Sequence, residues 1–109
     1  MRIWDISPHR LCRQHLLGEH RELHGIYRII TEGRYSSHPE TRRWYGKAPA
    51  LWVRHGLLVD EMIRRGYNHS SDLPDPPEGE LYQREFVNSE EEQYEILRSK
   101  GCQCITTHV

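Results

Sequence analysis

Residues 8–30 have the sequence PHRLCRQHLLGEHRELHGIYRII, and this stretch decides the fold. At 100° per residue, five side chains of apolar character fall within about 60° of one another on a helical wheel. The pattern predicts an amphipathic helix that starts at Ser7-Pro8, a suitable cap and first-turn residue, and ends before Gly33. The five apolar positions are Cys12, Leu16, Leu23, Tyr27 and Ile30.

A second helix is predicted with Pro49 in its first turn and its end at Gly66, after two arginines suited to a helix C-terminus. Its apolar face consists of Leu51, His55, Leu58, Val59 and Met62. A third helix is predicted from Asn88 or Ser89, which caps an acidic first turn, to Gly101.

The segments between these helices predict loops. Residues 33–47 indicate a loop with at most one helical turn, and residues 70–79, which include three prolines, indicate an extended surface segment. Short strands are possible only at residues 3–6 or 104–107. We therefore predict an all-α fold, a small single-domain bundle of about three helices with long loops, over residues 1–109.

Composition indicates a folded chain of 109 residues, because three Trp and six Tyr accompany 36% apolar and 28% charged residues. No apolar run approaches the roughly 20 residues that cross a bilayer, and the N-terminus lacks the apolar stretch of a signal peptide. We expect a cytoplasmic protein without membrane contact. The three cysteines are an odd number, which favours reduced thiols over a disulfide framework.

Charge is divided along the chain. Residues 1–67 hold 12 Lys and Arg against 7 Asp and Glu, whereas residues 68–109 hold 3 against 9. Arginine predominates in the first part, and its forked donors suit phosphate oxygens. A polyanion is therefore a candidate partner for the first two thirds, and mutual neutralisation of the two parts is the alternative.

Three titratable side chains follow one seam of the first helix. Glu19 falls inside the apolar stripe, while His15 and Glu22 lie on its edge, at positions i, i+4 and i+7 from His15. A carboxylate that faces a core must be hydrogen-bonded, paired or protonated, and catalytic groups occupy such environments. The alternative is structural, with Glu19 tying this helix to an arginine of the second, such as Arg54.

Three motifs occur at matching separations from the N-terminus. They are Met1-Arg2-Ile3, QHLLGEHREL at residues 14–23 and RRGYN at residues 64–68. Over about the first 70 residues the chain resembles the pyrimidine dimer DNA glycosylases of the phage endonuclease V family. The resemblance implies an all-helical enzyme that flips a base out of damaged duplex DNA. It also implies an N-terminal α-amine as nucleophile with a glutamate beside it.

The resemblance assigns the nucleophile to the α-amine of Met1 and the catalytic carboxylate to Glu22. An α-amine has a pKa of about 7.7 to 8, so that part of it is unprotonated at neutral pH. An imine formed with the sugar would also permit β-elimination, which makes such a glycosylase an abasic-site lyase. We expect a monomer that acts on damaged double-stranded DNA with no cofactor and no metal. The supporting residues are Arg2, Gln14, His15, Glu19 and Arg21.

The chain departs from the family pattern in two places. Gly25 stands where the family has an arginine, and the aromatic C-terminal tail of the family is absent. The excised base is therefore left open between a pyrimidine dimer and a different damaged or modified base. Independently of the resemblance, Trp44 and Lys47 in a basic loop are candidates for base stacking and phosphate contact. The alternative is that Trp44 anchors this loop to the core.

Three rival functions are compatible with parts of the sequence. The His20-Arg21-Glu22 triplet has the His-x-Glu half of a zinc deaminase signature, but the Pro-Cys-x-x-Cys half is absent. A structural metal site could draw on His20 and His24, one helical turn apart, and on a group of residues at the C-terminus, provided that the two sets meet in space. That group is Cys102, Cys104 and His108. The third rival is a non-enzymatic nucleic-acid-binding module, whose Arg side chains would supply salt-sensitive affinity.

Overall fold

The computed structural model describes residues 2–68 and 72–106, and their regular structure is entirely helical. A 3-10 turn, Pro8–Arg10, precedes four α-helices. The helices are α1, Arg13–Thr31; α2, Pro39–Arg42; α3, Ala48–Arg64; and α4, Glu90–Ser99. The prediction of an all-α fold is confirmed: α1, α3 and α4 are the three predicted helices, and α2 is the single turn expected between the first two. Within the described ranges no helix is both long enough and apolar enough to span a bilayer.

The start of α1 corrects the sequence prediction, because the helix begins at Arg13 and not at Pro8. Ser7-Pro8 initiates a separate 3-10 turn, in which the Arg10 N–H donates to the Ser7 carbonyl at 3.0 Å. Leu11 then becomes extended, with φ −79° and ψ 138°, and breaks the helical path. The signals for a 3-10 turn and an α-helix start are the same residue types, so the sequence pattern did not separate the two elements.

Helices α1 and α3 form the main packed pair. The buried side chains of α1 meet those of α3 largely along the predicted stripes, although Cys12, Ile30 and Val59 are only half-buried. A fully buried Leu contributes about 1.5–3 kcal/mol relative to an exposed one. These contacts therefore fix how the two helices lie. The buried apolar residues are Leu16, Leu23 and Ile26 on α1 and Leu51, Leu58 and Met62 on α3.

Helix α4 has the predicted boundaries and cap. The Ser89 side chain accepts from the Glu92 N–H at 3.2 Å, and the Glu92 carboxylate accepts from the Ser89 N–H at 2.9 Å. This reciprocal capping box fixes the start of α4. Tyr94 and Leu97 are buried in the common core.

The predicted strand at residues 3–6 is not observed, because these residues are extended but pair with no other strand among the described residues. Of the second possible strand, the part up to residue 106 has no strand either, and residue 107 lies outside the described residues. Extended backbone still needs hydrogen-bond partners when it is buried. Side chains supply those partners to residues 2–6, which we call the N-terminal segment.

Candidate active site

Two carboxylates of α1 hold the backbone of the N-terminal segment. The Trp4 N–H donates to Glu19 Oε1 at 3.1 Å, and the Arg2 N–H donates to Glu22 Oε2. Residues three apart on a helix are separated by about 4.5 Å along its axis, and residues two apart on an extended chain by about 6.6 Å. Because these two spacings are similar, the segment can lie along α1 with Trp4 at Glu19 and Arg2 at Glu22.

Glu19 is completely buried and bridges three parts of the chain. Its carboxylate accepts from Arg54 Nε at 2.7 Å and from Arg54 Nη2 at 3.0 Å, in addition to the Trp4 N–H. Burial raises the pKa of Glu19, and the Arg54 guanidinium and the Trp4 N–H oppose that rise. The structural alternative from the sequence, a tie between Glu19 and Arg54, is confirmed. Arg54 Nη1 also donates to the Ile6 carbonyl at 2.8 Å, so the pair holds the segment at Trp4 and at Ile6.

The opposite side of the N-terminal segment is held by Arg43 and Gln93, which the sequence analysis did not single out. Arg43 Nη2 donates to the Ile3 carbonyl at 3.1 Å, and Nη1 donates to Asp5 Oδ1 at 3.0 Å. Gln93 accepts from the Asp5 N–H at 2.8 Å. Gln93 lies one turn before Leu97 on the buried face of α4, and a polar side chain within an apolar stripe is the one local signal that would have identified it.

The Arg2 side chain is fixed at the edge of this assembly. Its guanidinium lies 4.4 Å from the centroid of the Trp4 ring, and Nη1 donates to Asn88 Oδ1 at 2.8 Å. Asn88, which the sequence indicated only as a possible helix cap, therefore contacts the site, while Ser89 caps α4. The result is an arginine held next to Glu22 by stacking and a hydrogen bond.

A cleft of about 510 Å³ opens along this seam, between α1, the N-terminal segment and α4. Its volume lies within the range of small-ligand sites. The structure brings together six residues predicted from the sequence, and it adds Ile96 and Lys100 of α4, which the sequence did not connect to the site. The six predicted residues in the lining are Arg2, Gln14, His15, Glu19, Arg21 and Glu22.

Trp44 and Lys47 are not part of this cleft. Trp44 is 2% exposed, and its indole N–H donates to Glu40 Oε1 at 3.2 Å. Lys47 is buried with its Nζ 2.9 Å from Gln83 Oε1 and 3.2 Å from a Glu85 carboxylate oxygen. Both side chains hold the loop against the core, which is the alternative that the sequence left open for Trp44. The predicted nucleophile, Met1, lies outside the described residues.

A larger cavity, about 720 Å³, lies elsewhere, between α1 and the proline-rich segment. Its lining includes Tyr27, Arg28 and residues 72–77, but neither Arg2 nor Glu22. We place the candidate site in the smaller cleft, because a carboxylate, an imidazole and guanidinium groups converge there. An active site needs several such groups within reach of one reacting atom.

Within residues 2–68 and 72–106, the possible metal ligands form two groups, which differ from the sets considered in the sequence. His20 and His24 lie beside His55, with the His24 and His55 Nε2 atoms 3.2 Å apart. Cys102 and Cys104 lie beside Cys12 and His15, and not beside the His20-Arg21-Glu22 triplet. The deaminase hypothesis needs the histidine and the cysteines on one ion, so this placement argues against it. His108 lies outside the described residues.

Comparison with known proteins matches residues 1–75 to a family described as pyrimidine dimer DNA glycosylase. The chain belongs to this family. No match to the chain is found among curated proteins or among solved structures. The matched region contains α1, the N-terminal segment and α3, and therefore most of the cleft. Membership of a pyrimidine dimer DNA glycosylase family implies a DNA glycosylase with DNA as its substrate.

The family match ends before α4. Four residues that complete or support the cleft therefore lie after residue 75, outside the region that matches the family. They are Asn88, Gln93, Ile96 and Lys100.

Proposed function

We propose that this protein is a DNA glycosylase with associated abasic-site lyase activity, which acts on pyrimidine dimers in double-stranded DNA as a monomer. The observation that carries the proposal is the hydrogen bond from the Arg2 N–H to Glu22 Oε2. The Arg2 nitrogen is covalently joined to residue 1, and successive backbone nitrogens lie within about 4 Å of each other. The nucleophile that we propose is the α-amine of residue 1, because this covalent link to Arg2 would bring it within reach of Glu22.

The amine and the carboxylate suffice for both proposed steps. The amine attacks C1′ of the sugar, the glycosidic bond breaks, and the base leaves with the bonding electrons and takes up a proton. Opening of the sugar ring then transfers a proton to the ring oxygen and leaves an imine between the amine and C1′. Glu22 stabilises the positive charge that develops near C1′ and relays these protons.

Strand cleavage follows from the imine. Its positive charge acidifies the C2′ proton, a base removes that proton, and the C3′–O bond breaks with the phosphate as the leaving group. Water then hydrolyses the imine and restores the amine. None of these steps needs a cofactor or a metal ion, because the imine itself accepts the electrons that a Lewis acid would otherwise stabilise.

The cations of the cleft are suited to the DNA backbone. Arg2, Arg21 and Lys100 offer N–H donors to phosphate oxygens, and Gln14 and His15 offer neutral polar contacts. The Glu19 charge is paired with Arg54, so that Glu22 is the carboxylate of the lining that faces these cations. We propose that the duplex lies over this face with the flipped nucleotide in the cleft.

Borohydride trapping of the untagged protein tests the proposal. Duplexes that carry a pyrimidine dimer, an abasic site or no lesion are the substrates, and the trapped peptide is sequenced. We expect an adduct at Met1 on the first two duplexes only, and at least a 100-fold slower adduct formation with Glu22→Gln. Glu32→Gln is the matched control, because Glu32 follows α1 at its exposed end.

Four results would count against parts of the proposal. An adduct on a lysine would remove the α-amine from its role, and retention of full rate by Glu22→Gln would remove the carboxylate. An adduct with the abasic duplex alone would keep the lyase step and indicate a different damaged base. Binding without any adduct would favour the non-enzymatic nucleic-acid-binding module.

A further inference from the structure

Three cysteines next to the cleft are not used by the proposed reaction, and they surround one residue of the cleft lining, His15. Cys12 and His15, at the start of α1, meet Cys102 and Cys104 of the segment that follows α4. The ligand atoms of all four residues lie within 4.8 Å of one another. We call this set the cysteine–histidine cluster, and we infer that it binds one zinc ion through three thiolates and one imidazole.

The interatomic distances suit a tetrahedral ion. Zinc bonds of about 2.3 Å to sulfur and about 2.0–2.1 Å to nitrogen place tetrahedral ligand atoms about 3.5–3.8 Å apart. His15 Nδ1 lies 3.1 Å from Cys12 Sγ and 3.3 Å from Cys104 Sγ. Shifts of a few tenths of an ångström bring these two pairs to the spacing around zinc, and the other pairs, all within 4.8 Å, need shifts of up to about 1 Å. A Cys₃His set is one of the common structural zinc sites.

Backbone contacts hold the four donors in place without a metal. The Ile105 N–H donates to the Arg10 carbonyl at 2.7 Å, and Arg98 Nη2 donates to the Thr106 carbonyl at 3.1 Å. These bonds bring the two cysteines back toward α1. The Cys12 N–H also donates to Cys104 Sγ at 3.0 Å, which is the kind of outer contact that supports a metal-bound thiolate.

A disulfide accounts for this cluster less well than an ion does. Three thiols cannot all be paired within one chain, and one bond between two of them would leave the third thiol and the imidazole without a common function. A zinc ion uses all four groups. Because the protein supplies four ligands, no coordination position stays open, and the ion is structural rather than catalytic.

The ion would also act on the cleft through His15, whose ring belongs to the lining. Coordination through Nδ1 leaves the imidazole proton on Nε2 and makes the ring a donor without an acceptor. That form suits a phosphate oxygen. The same ion joins the end of α4 to the start of α1, so that Ile96 and Lys100 keep a fixed position in the cleft wall.

Metal analysis of the reduced protein tests the inference, and no DNA is present, so the result is independent of the glycosylase proposal. The untagged chain is purified without oxygen and its zinc is measured. We expect about one equivalent bound by the cluster, lost in Cys102→Ser and in Cys104→Ser. His24→Gln is the matched control, because it removes a donor from the separate histidine group.

Cobalt substitution identifies the ligands. We expect thiolate-to-cobalt charge-transfer absorption in the unaltered chain and in His24→Gln, reduced in each cysteine variant. A cysteine variant that fails to fold is replaced by Cys104→His, which keeps a ligand and should retain the metal with a weaker charge-transfer band. Fully reduced protein that takes up less than a tenth of an equivalent of added zinc would overturn the inference. So would cysteine-to-serine variants with unchanged zinc content.

Discussion

At the scale of single residues, Glu19 and Glu22 have different roles although they lie one turn apart on α1. Glu19 is enclosed by Arg54 and the Trp4 N–H, whereas Glu22 is half-buried at the cleft next to Arg2. The first carboxylate holds the chain that presents the second with its proposed amine partner. Positioning and chemistry are thus separated between two residues of the same type.

This separation predicts the effect of Glu19→Gln on stability. The change leaves the Arg54 guanidinium largely buried without its charge partner, and loss of one member of a buried ion pair costs about 3–5 kcal/mol. Urea unfolding should show a corresponding fall in the free energy of unfolding. The double variant Glu19→Gln, Arg54→Met should recover most of it, because no unpaired charge remains. Equal losses in the single and double variants would contradict a pair of this kind.

Sequence patterns predicted that Glu19 and Glu22 lie on one seam of α1, because helical spacing is a local property of the chain. They did not predict Arg43, because a contact between residues 38 positions apart leaves no periodic trace, and the one local signal of Gln93 is its polar side chain within the apolar stripe of α4. Trp44 illustrates the same limit. Its aromatic and basic neighbours suggested a DNA-contact loop, whereas its burial depends on Glu40 and on core packing that no local pattern encodes.

At the scale of helices, the end of α3 is tied to the turn before α1. Glu61 accepts from Arg65 Nε at 2.6 Å and from Arg64, and Arg65 Nη2 donates to the Leu11 carbonyl at 2.7 Å. The sequence predicted this pair of arginines as cations suited to the helix C-terminus. Their contacts add a link across the main helix pair, next to the point where α1 begins.

The link predicts a dependence of stability on pH. Hydrogen bonds from Arg64, and then from Arg65, lower the pKa of Glu61 from 4.5 to about 2, against the opposing effect of burial. A carboxyl whose pKa is lower in the folded state contributes stability above its unfolded value. That contribution should be lost as the pH falls from about 4.5 toward 2.

Chemical denaturation of the unaltered chain and Glu61→Gln over this pH range measures the effect. The unaltered chain should be the more stable at neutral pH, and the difference should shrink below pH 4.5. Glu95→Gln serves as a control, because Glu95 is an exposed residue of α4. A difference between the chains that is constant with pH would contradict the ion pairs at Glu61.

At the scale of the whole molecule, the fold brings an extended N-terminus to a cleft built by elements from both ends of the chain. The first 75 residues carry the family match, and α4 closes one wall from outside it. Sequence analysis predicted the helices of each part separately. It did not predict that Lys100 would lie beside Arg21 in one lining, because that proximity depends on how α4 packs.

The charge of this lining predicts the salt dependence of binding to duplex DNA. Each phosphate neutralised by a cation contributes a slope of about −0.9 to the logarithm of affinity against the logarithm of salt concentration. Arg21→Gln should therefore weaken binding and reduce that slope by about one contact. Arg42→Gln, on an exposed residue of α2 outside the cleft lining, should leave the slope unchanged.

The comparison separates a local interface from a general attraction. If the excess of positive charge over residues 1–67 acted only as a diffuse field, both variants would lower the affinity alike with similar slopes. A fall in the salt-dependence slope that occurs only in Arg21→Gln indicates that Arg21 contacts a phosphate at the cleft itself. The DNA backbone would then pass within reach of Glu22 and of the proposed α-amine nucleophile, which is the placement that base flipping into this cleft needs.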